Sequence, residues 1–248
     1  MLDFEKVIAG ILQGIFEWLP ISSEGIVSLF SSFFIKKVNP VDLSLVLHFG
    51  TLFAVLIYFF KDWINVFFFK DRFLFWFLAI STFVSLILGF PVYKLINNLL
   101  VGNFLLLLTG IGLLFTSFFQ HKKLKVEIEE KKLAILVGVL QGLSVIPGLS
   151  RSGATIFGLS FGKLSPSEIL KISYMMSVPV VFASSVYIYF KEPHLFSFSL
   201  ESLIFSFLVG ILTLHFLIKL SQKINFSKFT LIFGLLCILG AVLGFFVK

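Results

Sequence analysis

The sequence predicts an all-α, polytopic membrane protein built as an inverted-topology repeat, with six full spans and two broken, re-entrant helix pairs. Three observations predict it. Of 248 residues, 58% are hydrophobic, 35 are Phe and only 13% are charged, far from soluble globular usage. Apolar runs long enough to cross a hydrocarbon core recur along the chain. Two further apolar stretches are interrupted midway by Pro, Gly and clustered Ser, and their sequences resemble each other.

In chain order, residues 7–35 form the first broken stretch, and 43–60, 73–91 and 101–119 read as full spans. Residues 120–132, "HKKLKVEIEEKK" among them, read as a solvated connector. The second broken stretch is 133–162, followed by spans at 172–190, 202–218 and 229–247. No cleaved signal peptide is expected, because Gln13 and Glu17 interrupt the first apolar run and no small-x-small site follows.

The repeat emerges when "GILQGIFEWLPISSEG" at 10–25 is set against "GVLQGLSVIPGLSRSG" at 138–153. Gly10, Leu12, Gln13, Gly14, Ser22 and Gly25 then meet Gly138, Leu140, Gln141, Gly142, Ser150 and Gly153. The expected organisation is one membrane domain, with repeat one at about 1–120 and repeat two at about 129–248. One re-entrant pair and three crossings per half leave the second half upside down relative to the first.

Of the Lys and Arg residues, 13 fall in loops 61–72, 120–132, 163–171 and 219–228, against six on the opposite side. The positive-inside rule therefore puts both termini outside, in a multi-pass protein of the cell membrane. The net charge of +7 records topology, and nucleic acid is not an expected partner. The single cysteine, Cys237, excludes a disulfide framework and a thiolate metal cluster.

Half-helices leave backbone N–H and C=O groups that must be satisfied by protein or a water-filled cavity. The two breaks should therefore meet at a shared polar site. Glu17 and Glu24 are the only carboxylates within an otherwise apolar stretch, and Arg151 is the only such cation. A guanidinium in that setting needs a partner. One reading is a salt bridge from Arg151 to Glu17 or Glu24 that locks the two repeats together. It leaves unexplained the hydroxyls of Ser22, Ser23, Ser150, Ser152 and Thr155, and the glycines Gly25, Gly148 and Gly153.

The returning half-helices begin with free N–H groups and a positive dipole end, which suit an anion. The guanidinium fork suits phosphate oxygens. Phosphate or diphosphate is thus the favoured ligand, bound by Ser22, Ser150, Arg151, Ser152, Gly153, Thr155 and Gln13. Glu17 lies one turn after Gln13 and can act as general base or as a ligand for Mg2+ or Ca2+.

At these residues the sequence resembles the undecaprenyl-diphosphate phosphatase, or bacitracin-resistance protein, family over nearly the whole chain. The resemblance rests on "QGIFEWLPISSEGI" and "PGLSRSGAT". It implies hydrolysis of a long-chain polyprenyl diphosphate, undecaprenyl or dolichyl, to the monophosphate and inorganic phosphate, which recycles the lipid carrier for cell-envelope glycan synthesis. It also implies a divalent cation and a site reached from the outer face. Carried over by position, it assigns function to Glu17, to Ser22 and Ser23, and to Ser150, Arg151 and Thr155. In the expected mechanism Glu17 binds the metal or activates the nucleophile, which is Ser23 or water.

Two positions depart from the family pattern: Gln13 replaces the first motif carboxylate and Ile26 the motif histidine. Glu24 stands where the motif has Thr and is a candidate replacement carboxylate. His48, roughly 8 Å into its span, is a candidate imidazole, against a reading in which it only hydrogen-bonds across helices. Expected partners are the lipid and the membrane, with a homodimer left open. The rival function is a carrier that moves polyprenyl phosphate between leaflets without cleavage, since inverted repeats and broken helices also describe transporters.

Overall fold

A computed structural model describes residues 3–20, 22–35, 38–96, 107, 110–115, 117–118, 121, 128–146, 149–223 and 225–246. The expected span at 101–119, most of the connector 120–132, and Gly148 lie outside or largely outside the described residues. Every regular element described is helical.

The first apolar stretch forms two short helices, α1 (Phe4–Phe16) and α2 (Ser23–Phe34), which pack against each other. The second forms α6 (Glu130–Leu143) and α7 (Arg151–Leu159), again in mutual contact. At 9 to 14 residues, none of the four reaches the ~30 Å of a hydrocarbon core at ~1.5 Å per residue. Each pair therefore enters and turns back.

Serine hydroxyls make the turns. Ser22 caps α2 by accepting from the Gly25 N–H at 3.1 Å, and Ser150 caps α7 by accepting from the Gly153 N–H, also at 3.1 Å. These are the two serines matched in the sequence repeat, placed at the same structural position.

Among the described residues, five helices are long and apolar enough to cross a membrane: α3 (Pro40–Tyr58), α5 (Arg72–Ile96), α8 (Pro166–Lys191), α10 (Leu200–Lys223) and α11 (Phe226–Phe246). Two short helices, α4 (Phe60–Phe67) and α9 (His194–Phe198), lie between them. Asn39 caps α3 through its side-chain oxygen, with Pro40 just inside. Ser165 and Glu168 form a capping box on α8.

The spans divide by burial. Over their most apolar windows α3 is 56% and α8 61% buried, against 33% for α5, 22% for α10 and 28% for α11. The α3–α8 pair is thus the centre, and the other three turn Phe, Leu and Ile outward, as lipid solvent permits.

Glycines bring the half-helices onto that frame. Gly14 of α1 lies so close to α10 that a Cβ there would sit 2.8 Å from the Gly210 nitrogen; its neighbour Gly10 faces Ser202. Gly138 of α6 would place a Cβ 2.8 Å from the Ser81 oxygen on α5, and Gly142 one 3.0 Å from the Ser85 oxygen. Ser81, Ser85 and Gly89 have the same four-residue spacing as Ser202, Ser206 and Gly210. Each half-helix therefore docks on a small-residue stripe of the other half of the chain, where backbones approach closely and serines donate across. Ser85 Oγ donates to the Gly138 carbonyl at 3.0 Å, and Ser202 Oγ to the Lys6 carbonyl at 2.7 Å.

Candidate active site

The chain between α1 and α2 exposes carbonyls that no helix satisfies, and the second half of the protein supplies their donors. Tyr174 on α8 donates its hydroxyl to the Trp18 carbonyl at 2.9 Å. Ser152 on α7 donates to the Leu19 carbonyl at 2.8 Å. The Cys237 thiol on α11 donates to the Pro20 carbonyl at 3.4 Å. The Trp18 indole N–H in turn reaches the Gly210 carbonyl at 2.8 Å, and its ring meets Tyr174 edge-on at 5.3 Å. Three successive carbonyls are thus paired from three different helices, which meets the demand that membrane-buried irregular backbone be satisfied. The lone cysteine serves this break.

Fixed in this way, the two breaks meet at one polar pocket lined by Glu17, Ser22, Ser23, Glu24, His48, Ser144, Leu149, Ser150, Arg151 and Ser152. Glu17 is its organiser. Its Oε1 pairs with the Arg151 guanidinium. Its Oε2 accepts from Gln13 Nε2 at 2.8 Å and Ser23 Oγ at 2.9 Å, and lies 3.1 Å from His48 Nε2. The Glu17 side chain is 3% exposed, so these partners replace its hydration. Arg151 also donates to the Ser173 carbonyl at 3.3 Å.

Two helix N-termini flank the same pocket. Ser23 and Glu24 open α2, and Arg151 and Ser152 open α7; amides at these first two positions have no acceptor within their own helix. With the guanidinium between them they form a basin for a multiply charged anion.

The expected binding residues separate into two groups. Ser22, Ser23, Glu24, His48, Ser150, Arg151 and Ser152 are on the pocket wall with Glu17. Gln13, Gly153 and Thr155 are not. Gln13 is fully buried behind Glu17, the Gly153 amide is taken by Ser150, and Thr155 is fully buried with its hydroxyl 2.7 Å from that of Ser173. Ser144 on the wall, just past the end of α6, and Tyr174 and Ser173 behind it on α8 escaped the sequence reading, because a single polar residue carries no signal until its partners are known. His215 lies away from the pocket, edge-on to Tyr58 at 5.7 Å.

The profile of the family described as bacitracin resistance protein BacA matches residues 6–242. The chain belongs to that family. The chain is also similar to proteins named undecaprenyl-diphosphatase, three of which illustrate the likeness. One, from Methanococcoides burtonii, is 32% identical and aligns over 95% of this chain and 97% of its own. Another, from Thermodesulfovibrio yellowstonii, is 31% identical over 98% of both chains. The third, from Sulfurisphaera tokodaii, is 30% identical over 96% of both. The chain thus aligns with these relatives over nearly their whole length.

Proposed function

We propose that this protein hydrolyses the terminal phosphoanhydride of a long-chain polyprenyl diphosphate, releasing inorganic phosphate and the lipid monophosphate, and so returns the carrier lipid to glycan synthesis. The observation that carries the reading is Ser23. Its hydroxyl opens a helix, lines the anion basin and donates to Glu17. A carrier needs the basin but has no use for a hydroxyl wired to a carboxylate.

In this mechanism the diphosphate lies against Arg151 and the two helix N-termini. Ser23 Oγ attacks the terminal phosphorus in line as its proton passes to Glu17 Oε2. The bond from that phosphorus to the bridging oxygen breaks, and the polyprenyl phosphate leaves with the electron pair. Water then attacks the phosphoserine, inorganic phosphate departs, and the proton on Glu17 returns to Ser23. The Arg151 guanidinium and the helix amides offset charge on the phosphoryl and bridging oxygens, the electrostatic contribution that dominates phosphoryl transfer.

A divalent cation fits the residues present. Glu17 has both oxygens engaged by the chain, whereas Glu24 lines the pocket with no hydrogen bond or ion pair among the described residues. No three His, Cys, Asp or Glu side chains converge into a cage among the described residues. The available donors are therefore the Glu24 carboxylate, serine hydroxyls and the oxygens of the diphosphate itself. This hard oxygen set suits Mg2+ or Ca2+, and in our reading the ligand is Glu24 rather than Glu17. When bound, the cation would neutralise phosphoryl-oxygen charge as a Lewis acid.

The deciding experiment measures phosphate release from a polyprenyl diphosphate by purified protein in detergent, with Mg2+, Ca2+ or EDTA, beside Arg151→Ala. Cation-dependent release that the variant loses is the expected result. Binding through Arg151 with no release from the wild-type protein would hand the site to the carrier reading.

A further inference from the structure

Arg151 is needed by the diphosphate, yet it is already paired with Glu17. A carboxylate this buried resists losing its cationic partner, since the charge left behind is neither hydrated nor paired. Either Glu17 holds Arg151 back from the ligand, or something else holds Glu17.

His48 is placed to do so. It projects from the middle of α3, the central span. Gly50, two residues on, fixes α3 against α10, where a Cβ would lie 2.6 Å from the Leu203 oxygen. His48 Nδ1 sits 2.7 Å from the Ser44 carbonyl of its own helix. A carbonyl can only accept, so Nδ1 carries a hydrogen. That bond fixes the ring plane and aims Nε2 at Glu17 Oε2, 3.1 Å away. This oxygen is likewise an acceptor, so Nε2 is also a donor. The charged and titratable groups around the ring are Glu17 from the first break, Glu24 from α2 and Arg151 from α7.

We propose that His48 is a positioning residue: it keeps Glu17 anchored beside Ser23 while Arg151 turns its fork to the diphosphate. Gln13 and Ser23 also donate to Oε2, but Gln13 belongs to the same short helix that Glu17 closes, and Ser23 gives up its proton in the reaction. His48 alone among the Oε2 partners comes from a central, largely buried span. The inference rests on the diphosphate reading of the pocket but not on hydrolysis.

Binding of a methylene-bridged prenyl diphosphonate, which cannot be cleaved, tests it in detergent. His48→Gln can still donate to Glu17 from its amide, whereas His48→Leu fills similar space with no donor. The expected result is a Leu variant that binds at least tenfold more weakly than wild type and a Gln variant within threefold of it, both with melting points near the wild-type value. Equal binding by the two variants would overturn the proposal, because packing alone would then explain the ring. If the Leu variant does not fold, His48→Ala with and without added imidazole reads the same contact: recovery of binding supports the role, and no recovery removes it. A wild-type protein that binds the analogue with this pattern yet releases no phosphate from a polyprenyl diphosphate would defeat the hydrolysis reading and leave the role of His48 standing.

Discussion

The four donors around Glu17 divide the pocket's side chains by consequence. Ser23 makes one hydrogen bond there, to the carboxylate. Ser23→Ala should therefore cost little stability, about 1 kcal/mol, yet reduce phosphate release to background. Retention of most of kcat in that variant would make water the nucleophile. Ser152 behaves in the opposite sense, because its hydroxyl serves the Leu19 carbonyl. Ser152→Ala orphans an acceptor between spans, so a loss of about 1–3 kcal/mol should appear as a lowered thermal midpoint, with turnover reduced far less than in Ser23→Ala. Glu17→Gln removes the counter-charge from Arg151, whose side chain is 16% exposed. It should cost about 3–5 kcal/mol and abolish phosphate release together, a double loss that thermal unfolding and turnover assays on one preparation would register. Glu17, Arg151 and the serines were legible in the sequence because charge and clustered hydroxyls stand out against an apolar background. Tyr174 and Cys237 were not, because one phenol or thiol in a span looks like packing until its hydroxyl or sulfur is seen on a break carbonyl.

At the scale of elements, catalysis depends on how closely two short helices sit on two long ones. The matched Gly10 and Gly14, Gly138 and Gly142 were visible in the sequence as a repeat, and the breaks were visible through Pro and Ser. Their partners were not, since Ser81, Ser85 and Gly89 become a stripe only when the helix that rests on it is known. The geometry makes a graded forecast. Gly14→Ala or Gly138→Ala places a methyl carbon against backbone atoms at 2.8 Å, which no side-chain movement relieves, so α1 or α6 must move outward. A penalty of about 1–3 kcal/mol is expected, with lowered kcat because the break shifts with its helix. Gly112→Ala is the control, since the Cβ would meet nothing nearer than Phe157 at 3.8 Å. Parallel thermal melts and phosphate-release assays on the three variants check the order; a Gly112 variant as damaged as the others would refute the close-packing account.

For the whole molecule, the matched features argue for two halves of opposite orientation. Each caps its returning helix with the repeat serine, and each docks its entering helix on the other half. If α1 and α2 enter from one face, α6 and α7 enter from the other, and the two breaks meet at the pocket. The excess of lysine and arginine in loops 61–72, 120–132, 163–171 and 219–228 predicts that this second face is the cytoplasmic one. Cys237 is buried, which leaves a quiet background for labelling. A cysteine at His194, at the exposed start of α9, should react with a membrane-impermeant maleimide on intact cells, and one at exposed Lys163 only after the cells are opened. The reverse pattern would turn the molecule over, place both termini inside and require the diphosphate to arrive from the cytoplasmic leaflet. The chemistry at Ser23 would be the same in either case, but only the first orientation lets the enzyme act on carrier lipid spent on the outer face.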